Sequence, residues 1–185
     1  NCMKTYFKTS LALAAALLIL MGCSKQVSAP TSNSAKEDKT AQSSETKQST
    51  EQSSEKKETA KTHTFVNKCN PGITSTLVYT VEGDNVIKQS ANNIADPEIL
   101  GATPEDVKSF IEEKYKGYNG LKGVKQTIEI KDGKVVQDLE VDFSVASISE
   151  LRKALPEEYS GIGNRVSFSN SKKALEKMGF TEKTN

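Results

Sequence analysis

The chain has 185 residues, of which 25 are Lys or Arg and 24 are Asp or Glu, so its formal net charge is +1. This balance argues against a nucleic-acid-binding protein, because such domains normally carry a clear basic excess. The hydrophobic fraction of 35% lies below the roughly 45–50% that is typical of soluble globular chains, so either the whole chain folds poorly or the apolar residues are concentrated in part of it.

Residues 1–22 have the pattern of a bacterial export signal. Lys4 and Lys8 precede an apolar stretch from Leu11 to Met21, which is shorter than the roughly 20 residues that a transmembrane helix needs. Met3 is interpreted as the initiator, so Asn1 and Cys2 are not expected to be part of the signal.

The end of the apolar stretch resembles a bacterial lipobox. It reads Leu20-Met21-Gly22-Cys23, in which an aliphatic, a variable and a small residue precede a Cys. The resemblance implies that the Cys23 thiol receives a diacylglyceryl group and that a peptidase then cleaves before Cys23. Two acyl chains give stable anchoring, since each buried methylene contributes about 0.8 kcal/mol. The alternative is an ordinary signal peptide in which Cys23 happens to lie near the cleavage site.

Residues 24–62 are predicted to be a tether. They contain one large apolar residue, Val27, and are otherwise rich in Ser, Thr, Gln, Glu and Lys. Such a segment cannot bury enough apolar surface to offset the entropy lost on ordering, so the lipidated Cys and a disordered tether are assigned to residues 23–62. The Ser, Thr, Lys and Glu content resembles that of surface lipoproteins of Gram-positive cocci, which predicts the outer face of a Gram-positive cell membrane.

Residues 63–185 hold all the other large apolar residues outside the signal and are predicted to form one domain. A short strand is expected around Phe65-Val66. The β-branched stretch Ile73–Val81, the turn cluster at 82–85 and the extended residues 86–90 then predict a β-hairpin.

A helix is predicted from Thr103, which suits the N-cap position, with Pro104 at the first helical position. Its apolar residues have helical spacing: Val107, Phe110, Ile111 and Tyr115. Gly117 and Gly120 are predicted to end it. Two strands then flank Asp132-Gly133, a pair typical of a type I′ turn.

The second of these strands alternates apolar and polar residues, which predicts a sheet with one solvated face. The apolar set is Val135, Leu139, Val141 and Phe143, and the polar set is Gln137, Asp138, Glu140 and Asp142. A helix over 147–155, a short strand over 166–168 and a last helix over 169–178, stopped by Gly179, complete the order β-β-β-α-β-β-α-(β)-α. The predicted fold is α+β, an antiparallel or mixed sheet of about four to six strands with helices packed on one face.

Four stretches of this domain resemble the YehR-like family of small bacterial lipoproteins, whose function is uncharacterised. They are Gly72–Tyr79, Gly83–Gln89, Gly123–Glu129 and Lys173–Phe180. The resemblance spans nearly all of residues 64–182 and implies a compact α+β domain on a lipid anchor. It supplies no catalytic residue, and Cys69 stands where the family pattern leads us to expect a polar residue.

The cysteine and histidine content allows little nucleophilic chemistry. After processing, Cys69 is expected to be the only free thiol, so the mature chain would form no internal disulfide. A Cys69–His63 nucleophilic pair would need the imidazole within hydrogen-bonding distance. Because no third orienting group is evident, a partly buried structural Cys69 and an exposed His63 are the favoured interpretation.

Candidate metal and phosphate sites are equally few. Asp138, Glu140 and Asp142 alternate on one strand face and would suit a cation such as Ca²⁺, but a solvated face balanced by neighbouring Lys side chains is favoured. One His and one remaining thiol cannot form the usual zinc sites, and no phosphate-binding glycine loop is present. We therefore assign no catalytic, cofactor-binding or metal-binding residue, and Cys23 is the only site residue.

The sequence thus predicts a membrane-anchored extracytoplasmic lipoprotein that acts as a cell-surface binding module for an envelope protein or a small ligand. The alternatives are an envelope hydrolase or transferase and a small-ligand carrier. An apolar cleft would favour the carrier, and perturbed titratable groups in a cleft would favour the enzyme. A flat or edge-strand surface with exposed aromatic residues, including Tyr115 and Tyr118, would favour a protein partner.

Overall fold

A computed structural model describes residues 59–184. The predicted signal peptide, the lipidation site Cys23 and nearly all of the predicted tether lie outside the described residues. The predictions made for them therefore stay predictions.

In the described part of the chain, six strands form one sheet in which every strand pair is antiparallel. The strands are β1 (Lys61–Asn67), β2 (Ile73–Glu82), β3 (Asn85–Ala95), β4 (Val124–Lys131), β5 (Lys134–Asp142) and β6 (Thr181–Lys183). Their spatial order is β4-β5-β3-β2-β1-β6. The predicted α+β class and antiparallel sheet are confirmed.

The helices lie in the connections and at the end of the chain. They are α1 (Pro97–Leu100), α2 (Pro104–Tyr115), α3 (Ile148–Ala154), α4 (Pro156–Tyr159) and α5 (Phe168–Lys177), and a short 3₁₀ helix, Lys116–Tyr118, follows α2. The isolated strand predicted over 166–168 is wrong, because Ser167 forms a single bridge to Asn85 and Phe168 already begins α5.

Helix α2 begins as its local sequence predicts. The Thr103 hydroxyl oxygen accepts a hydrogen bond from the backbone N–H of Asp106 at 3.1 Å, which satisfies one of the free donors of the first turn. Three of the four predicted apolar residues, Val107, Ile111 and Tyr115, are buried, whereas Phe110 is 42% exposed.

The β4–β5 hairpin has the predicted turn. Asp132 and Gly133 have positive φ angles of 51° and 74°, as a type I′ turn requires. On β5, Val135, Leu139 and Val141 are buried, but Gln137 is fully buried on the same face. Its assignment to the solvated face was wrong, because a hydrogen-bonded amide can occupy an interior position.

The core lies between one face of the sheet and the helices. Leu77, Ala91 and Leu139 are neighbours on adjacent strands and point to this face. The helices contribute the buried residues Val107, Ile111, Tyr115, Leu151, Tyr159 and Leu175. Side chains on the opposite face of the sheet stay accessible, so the helices cover one face and leave the other open.

Candidate functional site: the open face of the sheet

The open face carries a groove with a volume of about 340 Å³. Two rows of cross-strand neighbours line it, with each row running across β2, β3, β5 and β4. The first row is Thr76, Asn92, Asp138 and Thr127, and the second is Val78, Ser90, Glu140 and Lys125. Strand register alone creates this arrangement, because alternate residues of each strand point to the same face.

Most of the side chains that line the groove are polar, and its charges are partly paired. The Asn92 side-chain amide donates a hydrogen bond to Asp138 Oδ1 at 2.7 Å. Lys88 Nζ lies 3.1 Å from Glu140 Oε2. One oxygen of each carboxylate therefore has a partner. On the neighbouring strand β4, Lys125 lies directly opposite Glu140.

The third carboxylate of the predicted row has a structural role. Asp142 accepts hydrogen bonds from the Ser144 hydroxyl at 2.5 Å and the Ser144 backbone N–H at 2.9 Å. These bonds hold the pKa of Asp142 below its ordinary value. The described residues contain no group of three potential ligands arranged to hold a metal ion, and the partner side chains fit the favoured interpretation of a solvated, charge-balanced face.

His63 and Cys69 do not form a pair. His63 lies near the start of β1, where its Nδ1 is 2.7 Å from Glu182 Oε1 and its ring packs on Phe168 with centroids 4.3 Å apart. Cys69 follows the other end of β1, where its Sγ is 3.6 Å from the carbonyl oxygen of Gly179. The strand between them spans about 13 Å at ~3.3 Å per residue. The side chain of His63 is half-buried, whereas the sequence led us to expect an exposed one.

The side chain of Glu182 connects β6 to its surroundings. Its other oxygen lies 2.8 Å from Lys172 Nζ. Lys172 and then His63 lower the pKa of Glu182 through hydrogen bonding. This cluster joins α5, β1 and β6 and is therefore structural.

In the structure of the full chain Cys69 is disulfide-bonded, so the expectation of a free thiol in the processed chain stays a prediction. The expectation assumed a processed chain, whereas the full sequence still carries Cys2 and Cys23. Both of these residues lie outside the described ones.

Tyr115 and Tyr118, whose exposure would have favoured a protein partner, are 0% and 1% exposed. The hydroxyl groups of Tyr118 and Tyr159 are 3.2 Å apart and form a hydrogen bond. The polar ends of these two side chains thus find a partner in the core. Neither Tyr115 nor Tyr118 contributes to a docking surface.

Sequence reasoning also missed a chain of amides beneath the sheet. Asn93 donates to Gln137 at 3.0 Å, Gln137 donates to Gln126 at 2.9 Å, and Gln126 donates to the carbonyl of Tyr115 at 3.1 Å. The available signal was the period of two, which puts Gln137 in phase with its apolar neighbours on β5. Among the described residues, the Tyr79 hydroxyl, Gln89 Oε1 and Asn93 Oδ1 are buried without a hydrogen-bond partner.

A six-stranded antiparallel sheet with one helix-covered face and one open polar face defines a small α+β domain. The chain belongs to the family described as "Protein of unknown function (DUF1307)", whose model matches residues 61–181. It is 34% identical over 128 residues to the uncharacterised lipoprotein Lmo0207 of Listeria monocytogenes, covering 68% of this chain and 82% of the relative. It is 33% identical to Lin0239 of Listeria innocua, another uncharacterised lipoprotein, with the same coverage.

The NMR structure of Escherichia coli YehR has the same fold. It matches with a TM-score of 0.55 and 21% sequence identity over 68% of this chain and 91% of that chain. Together, the family match and these neighbours confirm the resemblance to YehR-like lipoproteins. Since both Listeria relatives are named lipoproteins, this chain is a lipoprotein anchored at a membrane. Among residues 59–184, none of the helices has the length and apolar character of a membrane span.

Proposed function

We propose that this protein is a lipid-anchored extracytoplasmic binding module that holds a polar ligand on the open face of its sheet. The observation that carries the proposal is the groove between β2 and β4, where two rows of side chains from four strands converge. The predicted lipobox at Cys23 and the lipoprotein relatives support anchoring on the outer side of the membrane.

The chemistry of the groove favours a ligand that carries an amine. Asp138 and Glu140 lie two residues apart on one strand face, which separates them by about 6–7 Å. In the described structure, Asn92 and Lys88 each occupy one oxygen of these carboxylates, which leaves the second oxygens available. A ligand ammonium group between them would gain charge-assisted hydrogen bonds, while Thr127 offers a hydroxyl nearby.

The shifted pKa values also favour binding over catalysis. Hydrogen bonds with Ser167, Ser144 and Lys172 lower the pKa values of Asp84, Asp142 and Glu182 respectively. The first and third of these contacts join elements of the fold, and the second fixes the turn after β5. Burial raises the pKa values of the core tyrosines, which lie on the other side of the sheet. These groups do not converge in the groove, where an enzyme would need them.

The test is an NMR titration of the ¹⁵N-labelled full chain with spermidine and with a lysine-containing peptide as amine probes. Amide shifts are expected on the two rows of the groove, centred on Asn92 and Asp138. Replacing both groove carboxylates, Asp138→Asn with Glu140→Gln, is expected to weaken binding at least about tenfold, which is ~1.4 kcal/mol.

The matched control is Glu105→Gln, which removes a carboxylate on α2, away from the open face. Binding should be unchanged by this substitution. Shifts confined to the helix-covered side, or equal weakening by the control, would contradict the proposal.

A further inference from the structure

Strand β4 is an edge of the sheet whose outer backbone groups are available for pairing. Within residues 59–184 it pairs only with β5, and the backbone N–H of Asp142 donates to the carbonyl of Gly123 at 2.9 Å. Since hydrogen-bonded and non-hydrogen-bonded positions alternate along an antiparallel pair, the odd-numbered residues of β4 bond to β5. The backbone groups of Gln126, Ile128 and Ile130 therefore point away from the sheet, and no hydrogen bond within residues 59–184 occupies them.

The two edges of the sheet are different. At the other edge, β6 has three residues, whereas β4 has eight. Short edge strands limit pairing with other chains, and long regular ones invite it. Ile130 on β4 is 40% exposed, although its neighbours on that side of the strand pack toward the core.

We propose that β4 pairs antiparallel with β4 of a second copy of this chain, with the two-fold axis at Thr127. This register sets Gln126 opposite Ile128 and Val124 opposite Ile130. These are the residues whose backbone groups point outward, as hydrogen-bonded antiparallel pairs require. The Val124 N–H already donates to the carbonyl of Leu121 at 3.2 Å, so the new ladder uses the remaining groups.

Charge complementarity selects this register. Lys125 of each copy lies opposite Glu129 of the other, so two Lys–Glu pairs form at non-hydrogen-bonded positions, where side chains approach most closely. Moving the axis to Ile128 would oppose Lys125 with Lys131. Moving it to Glu129 would oppose two carboxylates, and like charges directly opposite are unfavourable.

The pairing also covers apolar surface. Ile130 of each copy would pack beside Val124 of the other on the helix side of the joined sheet. Two six-stranded sheets would become one continuous sheet with a continuous open face. The two grooves would then share an interface at Thr127, which lies at the edge of each groove. The pairing depends on β4 alone and does not rest on the ligand proposed above.

Disulfide trapping of the full chain in its own membranes tests the axis. At a non-hydrogen-bonded pair the Cα atoms lie about 4.5 Å apart, which falls within the range of about 4.4–6.8 Å that a disulfide accepts. Thr127→Cys is therefore expected to give a species of twice the monomer mass on a non-reducing gel, beyond the background of the parent chain.

Lys131→Cys is the matched control, since it lies on the same strand and the same face. In this register the two copies of residue 131 are eight residues out of alignment, or about 27 Å apart, so no dimer is expected. Equal trapping at both positions, no trapping at position 127, or a cross-link to a species of another mass would overturn the proposal.

Charge reversal supplies a second readout. Added to the Thr127→Cys variant, Lys125→Glu puts carboxylates opposite each other at both pairs and is expected to reduce trapping several-fold, and further addition of Glu129→Lys should restore it. Lys125→Glu also faces Glu140 within its own chain, but the variant that carries both charge reversals keeps that change. Restoration therefore reports contact between copies, and failure to restore trapping, with an unchanged melting temperature, would overturn this register.

Discussion

At the scale of single residues, the core is notable for its tyrosine hydroxyl groups. Tyr79, Tyr118 and Tyr159 are at most 1% exposed, and burial is the main reason that their pKa values are raised. Tyr118 and Tyr159 satisfy each other, whereas the hydroxyl of Tyr79 has no partner among the described residues. These phenol groups can therefore occupy the centre of the domain only in their neutral form, because burial disfavours the charged phenolate.

Removing either hydroxyl of the Tyr118–Tyr159 pair should lower the free energy of unfolding, and each single loss should exceed half of the loss caused by removing both hydroxyls. Either Tyr118→Phe or Tyr159→Phe leaves a buried hydroxyl unsatisfied, at a cost of about 1–3 kcal/mol. The double variant removes both polar groups, so we expect its loss to be smaller than the sum of the two single losses. Urea denaturation of all four proteins measures this coupling, and strictly additive losses would show that the hydroxyls do not interact.

The same tyrosines predict alkaline unfolding. A raised pKa in the folded state means that the stability contributed by the neutral phenol is complete below the unfolded pKa of about 10 and is lost as the pH rises through the folded value. We expect phenolate absorbance and loss of near-ultraviolet circular dichroism to change together above that pH. Tyrosine ionisation that was complete while the fold persisted would contradict the buried arrangement.

At the scale of elements, the entry into β4 depends on a crowded glycine. Gly123 has a φ of 78°, and a Cβ atom there would lie 2.6 Å from the backbone nitrogen of Ala146. Gly120 has a similar φ of 80° but open space around it. A side chain at either position would strain the backbone, but only a side chain at Gly123 would also clash with a neighbour. Comparing substitutions at the two positions therefore distinguishes the two effects.

We expect Gly120→Ala to lower the free energy of unfolding by about 1–2 kcal/mol, the cost of a left-handed conformation for a residue with a side chain. Gly123→Ala should lose a further ~1–3 kcal/mol, because the neighbouring backbone must shift. Thermal or urea unfolding of both variants checks the difference. Equal losses of stability in the two variants would mean that the loop before β4 can shift to accommodate the new Cβ atom without a further loss of free energy.

Elements with strong local signals were predicted correctly. Thr103 and Pro104 begin α2 through capping chemistry, and Asp132-Gly133 forms the tight turn that its backbone preference allows. Strand β6 was missed, because three residues carry too little pattern and Thr181–Lys183 become a strand only where they meet β1. The isolated strand over 166–168 failed for a related reason, since Ser167 serves as the N-cap of α5.

At the scale of the whole molecule, the domain has one covered and one open face, and the predicted lipid anchor, Cys23, precedes the domain in the sequence. Cys23→Ala is expected to release the protein from the membrane fraction, because the sulfur that would carry the acyl chains is gone. Cell fractionation measures this, with Cys69→Ala as a control that should stay at the membrane. Retention of Cys23→Ala at its unprocessed size would mean that the signal segment itself acts as the anchor.

By itself, the sequence determined the α+β class, most of the strands and helices and the family resemblance, and it predicts the lipid anchor, because these depend on local composition, spacing and turn chemistry. Only the tertiary structure decided which face is covered, that Gln137 and the tyrosines are interior, and that Asn92 and Lys88 meet the carboxylates of β5. The reason is physical. A period of two separates the faces of a strand, but only packing of distant elements decides which face the helices cover and which polar groups find partners there.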